Sequence, residues 1–257
     1  PLVMGVLNVT PDSFSDGGRW LDAGAAVAHG LRMVEEGADV IDVGGESTRP
    51  GADPVEIDEE LRRVLPVIEA LAPHTRVSID TRKAEVAEAA LAAGASLLND
   101  VSASLAPVAK AAGAGWVAMH MQGEPRTMQQ DPTYDDVVAE VRAFLVARAE
   151  AAGVEEVWID PGIGFGKTME HNLALLAHLD ELVATGYPVV VGTSRKAFLG
   201  RLTGGRPADD RVEASVATAA WALSQGASMV RVHDVAPTVA AARLLGPSGP
   251  LSGVEGA

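Results

Sequence analysis

The sequence that decides the fold runs Val157-Trp158-Ile159-Asp160-Pro161-Gly162-Ile163-Gly164-Phe165-Gly166-Lys167. Its first three residues are apolar and a carboxylate follows them, which predicts a buried strand that ends at Asp160. The glycines beyond Asp160 would let the backbone approach a ligand closely. A tight turn between a strand and a helix would show the same pattern, so this stretch alone does not establish a site.

Acid or amide groups also end four other apolar runs of the chain. These runs are Val6-Leu7-Asn8, Val40-Ile41-Asp42, Val77-Ser78-Ile79-Asp80 and Leu97-Leu98-Asn99-Asp100. Polar groups gathered at the C-terminal ends of parallel strands form the active site of an α/β barrel. The repetition therefore favours a functional site over a set of unrelated turns.

Strand patterns alternate with alanine-rich amphipathic helix patterns along the whole chain. The predicted strands are Val3–Val9, Asp39–Gly45, Arg76–Asp80, Leu97–Asp100, Trp116–His120, Val157–Asp160, Val189–Gly192 and Met229–His233. The predicted helices are Asp22–Glu36, Ile57–Leu71, Ala84–Ala93, Leu105–Ala112, Tyr134–Ala152, Glu170–Thr185, Ala208–Ser224 and Pro237–Leu245. This alternation favours a single-domain α/β fold, a (β/α)8 TIM barrel, over an open doubly wound sheet. We predict the barrel over residues 1–245 and a flexible C-terminal tail over residues 246–257.

The composition suits one globular domain with a small-molecule substrate. The chain has 257 residues, of which 47% are hydrophobic, and it has no cysteine, which excludes disulfides and thiolate metal sites. Its net charge of −15 argues against a nucleic acid or an anionic membrane as partner. We find no signal peptide and no apolar run long enough to span a bilayer, so a cytoplasmic location is expected.

Three long segments follow predicted strands and would lie on the catalytic face of the barrel. They cover residues 10–19, 46–52 and 121–131, whereas most loops of this kind are short. Each alone is best explained as a surface turn. Three together on one face predict lids over a reactive intermediate, with Phe14 and Arg49 available to close the first two.

Eight short motifs at these strand ends resemble, in order, those of the dihydropteroate synthase family of pterin-binding barrels. They are Asn8–Gly18, Gly44–Gly51, Ser78–Thr81, Asn99–Ser102, Met119–Met121, Asp160–Lys167, Gly192–Lys196 and Arg231–His233. The resemblance implies that 6-hydroxymethyl-7,8-dihydropterin diphosphate loses pyrophosphate and is attacked by the amine of p-aminobenzoate. The product would be 7,8-dihydropteroate, a folate precursor.

The resemblance implies a pterin diphosphate site and assigns catalysis to Asp80, Asp160, Lys196, Arg231 and His233. The implied pterin diphosphate site comprises Thr48, Asp80, Asn99, Val101, Met119, Asp160, Phe165, Lys196, Arg231, Val232 and His233. The residue types suit this ligand, because a carboxylate can accept two adjacent N–H groups of a pterin edge in one plane. The alternative for Asp80 and for Asp160 is a purely structural role as a helix cap.

The leaving group needs positive charge and hydrogen-bond donors. Arg231 and His233 alternate on the last strand and so point to the same side, at the rim where barrels often bind phosphate. The amide oxygen of Asn8 could be a ligand of Mg²⁺, which would arrive with the diphosphate. Asp12 could help to hold the metal, although a turn former would look the same.

The second substrate and the partner are also assigned by resemblance. The implied p-aminobenzoate pocket comprises Thr48, Arg49, Pro50, Phe165, Ser194 and Lys196. Family members form homodimers, and Trp221 and Leu223 on the last helices are compatible with such a contact. Two other functions remain open: a methyltransferase that passes a methyl group from a folate to a corrinoid, and a non-catalytic pterin-binding paralogue.

Overall fold

The computed structural model describes residues 1–10, 19–47 and 54–245. For residues 19–22 it describes the backbone but not the side chains. One eight-stranded parallel sheet runs in the order β6-β5-β4-β3-β2-β1-β8-β7, and a bridge between Ile159 and Val189 joins its two edges. The strands are β1 Leu2–Asn8, β2 Val40–Gly44, β3 Arg76–Asp80, β4 Leu97–Asp100, β5 Gly115–Met119, β6 Val157–Asp160, β7 Val190–Val191 and β8 Met229–Val232. The predicted (β/α)8 barrel is confirmed.

Helices follow the strands and cover the outside of the barrel. They are α1 Arg19–Glu35, α2 Ile57–Leu71, α3 Ala84–Ala92, α4 Ala106–Ala112, α5 Val137–Ala152, α6 Met169–Ala177, α7 Leu179–Val183, α8 Ala197–Leu202, α9 Val212–Ser224 and α10 Val235–Leu245. The predicted tail, residues 246–257, lies outside the described residues.

Two helix predictions need correction, and one helix was not predicted. The predicted helix Glu170–Thr185 is two helices, because His178 leaves helical geometry at φ −115° and ψ 35°. The predicted helix Ala208–Ser224 begins with a 3₁₀ turn, and its α-helical part starts at Val212. Helix α8 was not predicted, because its six residues are too few to show a helical period.

The inside of the barrel has an apolar floor with a polar layer above it. Seven buried residues form the floor: Met4, Val40, Leu97, Val117, Trp158, Val190 and Met229. Side chains two residues apart on a strand share a face. Asp42, Asn99, Met119, Asp160 and Arg231 each follow a floor residue by two positions, so they lie one layer nearer the C-terminal mouth.

Trp158 and Trp221 differ in burial. Trp158 is buried in the barrel floor. Trp221 is 47% exposed, and its indole nitrogen donates to the Leu176 carbonyl oxygen. Leu223 is 7% exposed and belongs to the core, which removes it from any partner surface. Within the described ranges, no helix is both long and apolar enough to cross a membrane.

Candidate active site at the mouth of the barrel

Strand register aligns the predicted metal ligand Asn8 with the predicted pterin-binding residues Asp80 and Asn99. Asn8 pairs with Gly44, Gly44 with Asp80, and Asp80 with Asn99, so these residues form one row across four strand ends. Met119 is the register partner of Asp160 two strands further on. The side chains of Asn99, Met119 and Asp160 are buried, and that of Asp80 is 10% exposed. The structure therefore brings Asp80, Asn99 and Asp160 together inside the barrel mouth. These three predicted hydrogen-bond acceptors for the pterin are called the acceptor wall below.

Arg231 connects two carboxylates across the barrel. Its Nε donates to Oδ2 of Asp42 at 2.6 Å, and its Nη2 donates to Oδ2 of Asp80 at 2.7 Å. Asn99 donates from Nδ2 to the same Asp42 oxygen at 3.0 Å. Asp80 is thus an ion-pair partner, and the cap alternative fails because α3 begins after Lys83 without a side-chain cap. No role was predicted for Asp42. The apolar run that it ends is the sequence pattern that could have identified it as a site residue.

Burial controls the charge of these groups. It raises the pKa of Asp80 above the usual range, Arg231 opposes the shift, and the carboxylate of Asp42 adds to it. Burial would lower the pKa of Arg231, but Asp42 and Asp80 outweigh it and hold that pKa higher still. Burial also raises the pKa of Asp160, against the opposing charge of Lys196. Together these groups place acidic and basic side chains close to one another in the barrel mouth. This arrangement suits a polar ligand with N–H donors.

Asp160 is held by the turn that follows it. Its Oδ1 accepts from the Gly162 backbone nitrogen at 2.7 Å, which is a turn contact and leaves Oδ2 without a donor among the described residues. The next helix, α6, takes its cap from Thr168, so Asp160 is not a helix cap. Gly162 has φ +65°, and a Cβ there would lie 1.9 Å from the His120 carbonyl oxygen, so only glycine fits.

Lys196 lies at the start of α8 and reaches back to the Asp160 turn. Its Nζ donates to the Ile163 carbonyl oxygen and lies 4.7 Å from the centre of the Phe165 ring, a cation–π contact. The residue before it, Arg195, has φ +59°, a costly conformation for a side-chain-bearing residue. The Ser215 hydroxyl accepts from the Arg195 backbone nitrogen at 2.9 Å and helps to hold this geometry.

A second lysine in this region was not assigned from the sequence. Lys167 is 3% exposed, and its Nζ contacts Nδ1 of His120 at 2.9 Å and the carbonyl oxygens of Gly162 and Phe165 at 3.0 Å each. Burial and the nearby lysine charge lower the pKa of His120 to about 3, so its ring is neutral and Nδ1 accepts. This network of hydrogen bonds holds the turn that follows Asp160 in place.

Three of the remaining predicted residues lie beside the polar row, and a fourth, Val232, does not. Ser194 is buried, and its Oγ accepts from the His233 backbone nitrogen at 3.1 Å and lies 3.0 Å from Nδ1 of that ring. Val101 and Met119 are buried beside the polar row. Val232 differs: its side chain packs in the core between strands and helices, because alternate strand residues face opposite ways. Its predicted contact with the substrate is therefore corrected to a packing role for the side chain.

Several predicted residues lie outside the described part of the chain. They are Asp12, Phe14, Thr48, Arg49 and Pro50. The described ends of the second loop meet at Lys83, whose Nζ donates to Glu46 Oε2 and to the Val55 carbonyl oxygen at 2.7 Å each. The third loop is joined to the Asp160 turn, since Gln129 donates to the Gly164 carbonyl oxygen at 2.6 Å.

The geometry indicates what the site can bind. Carboxylate and amide acceptors face one another in a buried barrel mouth, with lysine and arginine cations beside them. A planar heterocycle with adjacent N–H donors and a carbonyl oxygen would satisfy both kinds of group. Fold and site together therefore define an α/β-barrel enzyme for a pterin-like ligand.

Comparison with known proteins agrees with this class. Residues 4–233 match the family described as pterin binding enzyme. The dihydropteroate synthase of Mycobacterium leprae (strain TN) is 52% identical, over 95% of this chain and 92% of that protein. The chain belongs to the pterin-binding enzymes and, within them, to the dihydropteroate synthase family.

Two similar solved structures contain a substrate and a product of the implied reaction. Xanthomonas albilineans dihydropteroate synthase with 4-aminobenzoic acid has a TM-score of 0.88 and 52% identity, covering 94% of this chain and 90% of that one. The same enzyme with 7,8-dihydropteroate has a TM-score of 0.84 and 49% identity, covering 94% and 90%. These neighbours favour the synthase over the methyltransferase and the non-catalytic paralogue.

The charge on Lys196 gives a pH prediction. Burial lowers the pKa of Lys196 to about 8, while the Asp160 carboxylate opposes the shift. Only the ammonium form supplies all three donors, so kcat/KM for the pterin substrate should fall as the pH rises through about 8. The buried aspartates must be ionised, so an acidic limb should lie above the usual range near pH 4.

The substitution Lys196→Arg tests the assignment of the alkaline limb. Arginine stays charged throughout the accessible range, so that limb should move to higher pH even if the maximal rate falls. The measurement is kcat/KM against pH for both proteins. An alkaline limb that stays near pH 8 in Lys196→Arg would assign it to another group.

Proposed function

We propose that this chain condenses 6-hydroxymethyl-7,8-dihydropterin diphosphate with p-aminobenzoate and releases 7,8-dihydropteroate and pyrophosphate. The observation that carries the proposal is the register-aligned row of Asp80 and Asn99, with Asp160 and Lys196 facing it in the barrel mouth. Membership of the dihydropteroate synthase family supports the same reaction.

The acceptor wall recognises the pterin. Asp160 Oδ2 accepts from the adjacent N–H donors of the ring edge, while Oδ1 stays with Gly162. Asn99 supplies a further acceptor, and Lys196 donates to the ring carbonyl oxygen and a ring nitrogen. Phe165 and Met119 offer apolar surface beside the ring. The site thus matches the donor and acceptor pattern of the pterin, and a neutral apolar ring would leave these polar groups unpaired.

Arg231 and His233 bind the diphosphate at the rim. Both follow the floor residue Met229 by an even number of positions, so both face inward. The Asn8 side chain is half-buried at the end of β1 in the same row, and an amide oxygen suits Mg²⁺. Among the described residues no cluster of three histidine, aspartate or glutamate side chains could hold a metal. In this proposal the Mg²⁺ would arrive with the diphosphate and neutralise part of its charge.

Bond cleavage precedes attack in the proposed mechanism. When the C–O bond to the diphosphate breaks, the electron pair leaves with pyrophosphate and the pterin methylene becomes a cation. The Asp80 and Asp160 carboxylates stabilise this charge through space. The arylamine nitrogen then forms the new C–N bond and loses a proton, and it needs no strong base because the electrophile is so reactive. Excluding water protects the cation from hydrolysis.

A homodimer is part of the same proposal. Trp221 on α9 and Leu244 on α10 are 47% and 49% exposed, and the two helices pack against each other. Exposed apolar side chains on two neighbouring helices are compatible with a partner surface. We also propose a cytoplasmic location, where this biosynthetic reaction would take place.

One assay tests the proposed reaction. The protein is incubated with the pterin diphosphate and p-aminobenzoate, and both pyrophosphate and dihydropteroate are quantified. We expect equal amounts of the two products. Pyrophosphate without dihydropteroate would mean hydrolysis, and no product of either kind would support the non-catalytic alternative.

Arg49 is proposed to act on the second substrate. Its side chain can carry a donor fork to an aryl carboxylate or a departing phosphate. In Arg49→Ala the rate at saturating p-aminobenzoate should fall roughly ten- to a hundredfold, about 1.4–2.8 kcal/mol of transition-state contact. Pterin diphosphate affinity should be retained, because Asp160 and Lys196, the residues proposed to bind the pterin, are unchanged in this variant.

Single-turnover rates and calorimetry separate the two effects. Arg62→Ala is the matched control, since Arg62 is an exposed arginine whose ion pair among the described residues is with Glu59 on α2. It should leave both quantities unchanged. If Arg49→Ala strongly weakens pterin binding while the substrate that still binds reacts at the normal rate, Arg49 belongs to the first site.

A further inference from the structure

Asp42 occupies a position between two substrate-binding residues. It lies on β2, two residues after the floor residue Val40, and is completely buried. Its Oδ2 accepts from Nδ2 of Asn99 at 3.0 Å and from Nε of Arg231 at 2.6 Å. One buried oxygen therefore holds a residue from β4 and a residue from β8 in fixed orientations.

The contact with Asn99 determines which end of the amide a ligand meets. Because Nδ2 donates to Asp42, the amide must present Oδ1 on its other side. An asparagine without such a partner can rotate and present either oxygen or nitrogen. A rotated Asn99 would place a donor against the N–H edge of a pterin. Asp42 thus fixes Asn99 as an acceptor.

The contact with Arg231 fixes the guanidinium plane. Nε is bound by Asp42 and Nη2 by Asp80, so the fork cannot turn without breaking a charged hydrogen bond. The remaining N–H groups of Arg231 therefore keep one direction. Asp42 and Asp80 each retain a buried oxygen, Oδ1, that has no hydrogen-bond partner in the described part of the molecule.

We propose that Asp42 is a positioning residue for pterin recognition, acting through Asn99 and Arg231. This inference rests on the proposed function of the site. Asp42 is assigned no contact with the substrate and no proton to transfer. Its effect is to hold an acceptor and a cation in place before the ligand arrives, which reduces the cost of ordering them on binding.

Two substitutions separate a positioning role from a purely structural one. Asp42→Ala removes the shared acceptor, and the KM for the pterin diphosphate should rise roughly ten- to a hundredfold, as expected for a buried hydrogen bond to a charged group. Asp42→Asn keeps one oxygen that both donors can use, so it should restore most of that loss. The KM for p-aminobenzoate should change less than threefold in either protein.

Ser78→Ala is the matched control. Ser78 is the register partner of Asp42 on β3 and is fully buried, and its Oγ has no partner among the described residues. Its removal should leave both KM values unchanged. Equal increases in both KM values for Asp42→Ala, with no recovery in Asp42→Asn, would overturn the proposal.

A double-mutant cycle tests the connection to Asn99 directly. If Asp42 acts through Asn99, the effect of Asp42→Ala on pterin KM should be at least threefold smaller in an Asn99→Ala background. Fully multiplicative effects would overturn that connection. If Asp42→Ala does not fold, the same cycle is measured with Asp42→Val, which also removes the shared acceptor but fills more of the space. Wild-type turnover tests the proposed function separately, since an inactive wild type would reject that function before any variant is compared.

Discussion

Replacing Asp160 with asparagine should weaken pterin binding by roughly 2–4 kcal/mol, or about 30- to 1000-fold. The reason lies in the turn after β6. The Gly162 backbone nitrogen donates to Oδ1 at 2.7 Å, and this buried donor requires an acceptor. In Asp160→Asn the amide oxygen must therefore stay with Gly162, and the NH₂ group must face the ligand. Two donors would then oppose each other where the wild type has a carboxylate oxygen.

Calorimetric titration with the pterin diphosphate measures this effect. Asp180→Asn is the control, because Asp180 is exposed on α7 and its carboxylate makes no hydrogen bond or ion pair within the described structure. The control should bind like the wild type. An unchanged affinity for Asp160→Asn would show that Asp160 is not the partner of the ring edge.

The position of the site could be predicted from the sequence because strand geometry is local. Four strands, β2, β4, β6 and β8, have a floor residue followed by a polar residue two positions later, such as Leu97 before Asn99 and Trp158 before Asp160. Alternation places both on the inner face, and parallel pairing brings the strand ends together. The same rule shows why Val232 packs outward, and applying it to the Arg231–His233 run would have excluded its side chain from the site.

The side-chain networks could not be predicted, because they join residues that are distant in sequence. The Arg231–Asp42 ion pair spans 189 positions and exists only once the last strand meets the first two. The Lys167–His120 contact spans 47 positions and depends on the close packing of Gly162 against the His120 carbonyl oxygen. A sequence pattern shows which residues can form hydrogen bonds but not which partner each one meets.

Lys167 shows how much of the site depends on such a network. Carbonyl oxygens from Gly162 to Gly166 all accept hydrogen bonds from side chains. Lys167 binds those of Gly162 and Phe165, Lys196 that of Ile163, Gln129 that of Gly164 and Tyr134 that of Gly166. Of these donors Lys167 is the most deeply placed, at 3% exposure. It therefore satisfies two carbonyl oxygens of the turn with a side chain that is almost completely buried.

Replacing Lys167 with methionine should lower the free energy of unfolding by roughly 3–5 kcal/mol. Methionine fills similar space but has no donor, so His120 Nδ1 and the Phe165 carbonyl oxygen lose their hydrogen bond, and the Gly162 carbonyl oxygen keeps only the Phe165 backbone nitrogen. Each buried acceptor left unpaired costs about 1–3 kcal/mol, a large share of a total stability near 5–15 kcal/mol.

Urea unfolding of Lys167→Met measures this loss, with Lys110→Met as the control because Lys110 is exposed on α4. The control should change by less than about 0.5 kcal/mol. Pterin affinity of the folded Lys167→Met protein should also fall, because the turn that aims Asp160 has lost its support. Equal stability of the two variants would mean that the turn holds its shape without the buried ammonium group. Asp160 would then depend on the glycine backbone alone, and Asp160→Asn would remain the only large binding defect expected in this turn.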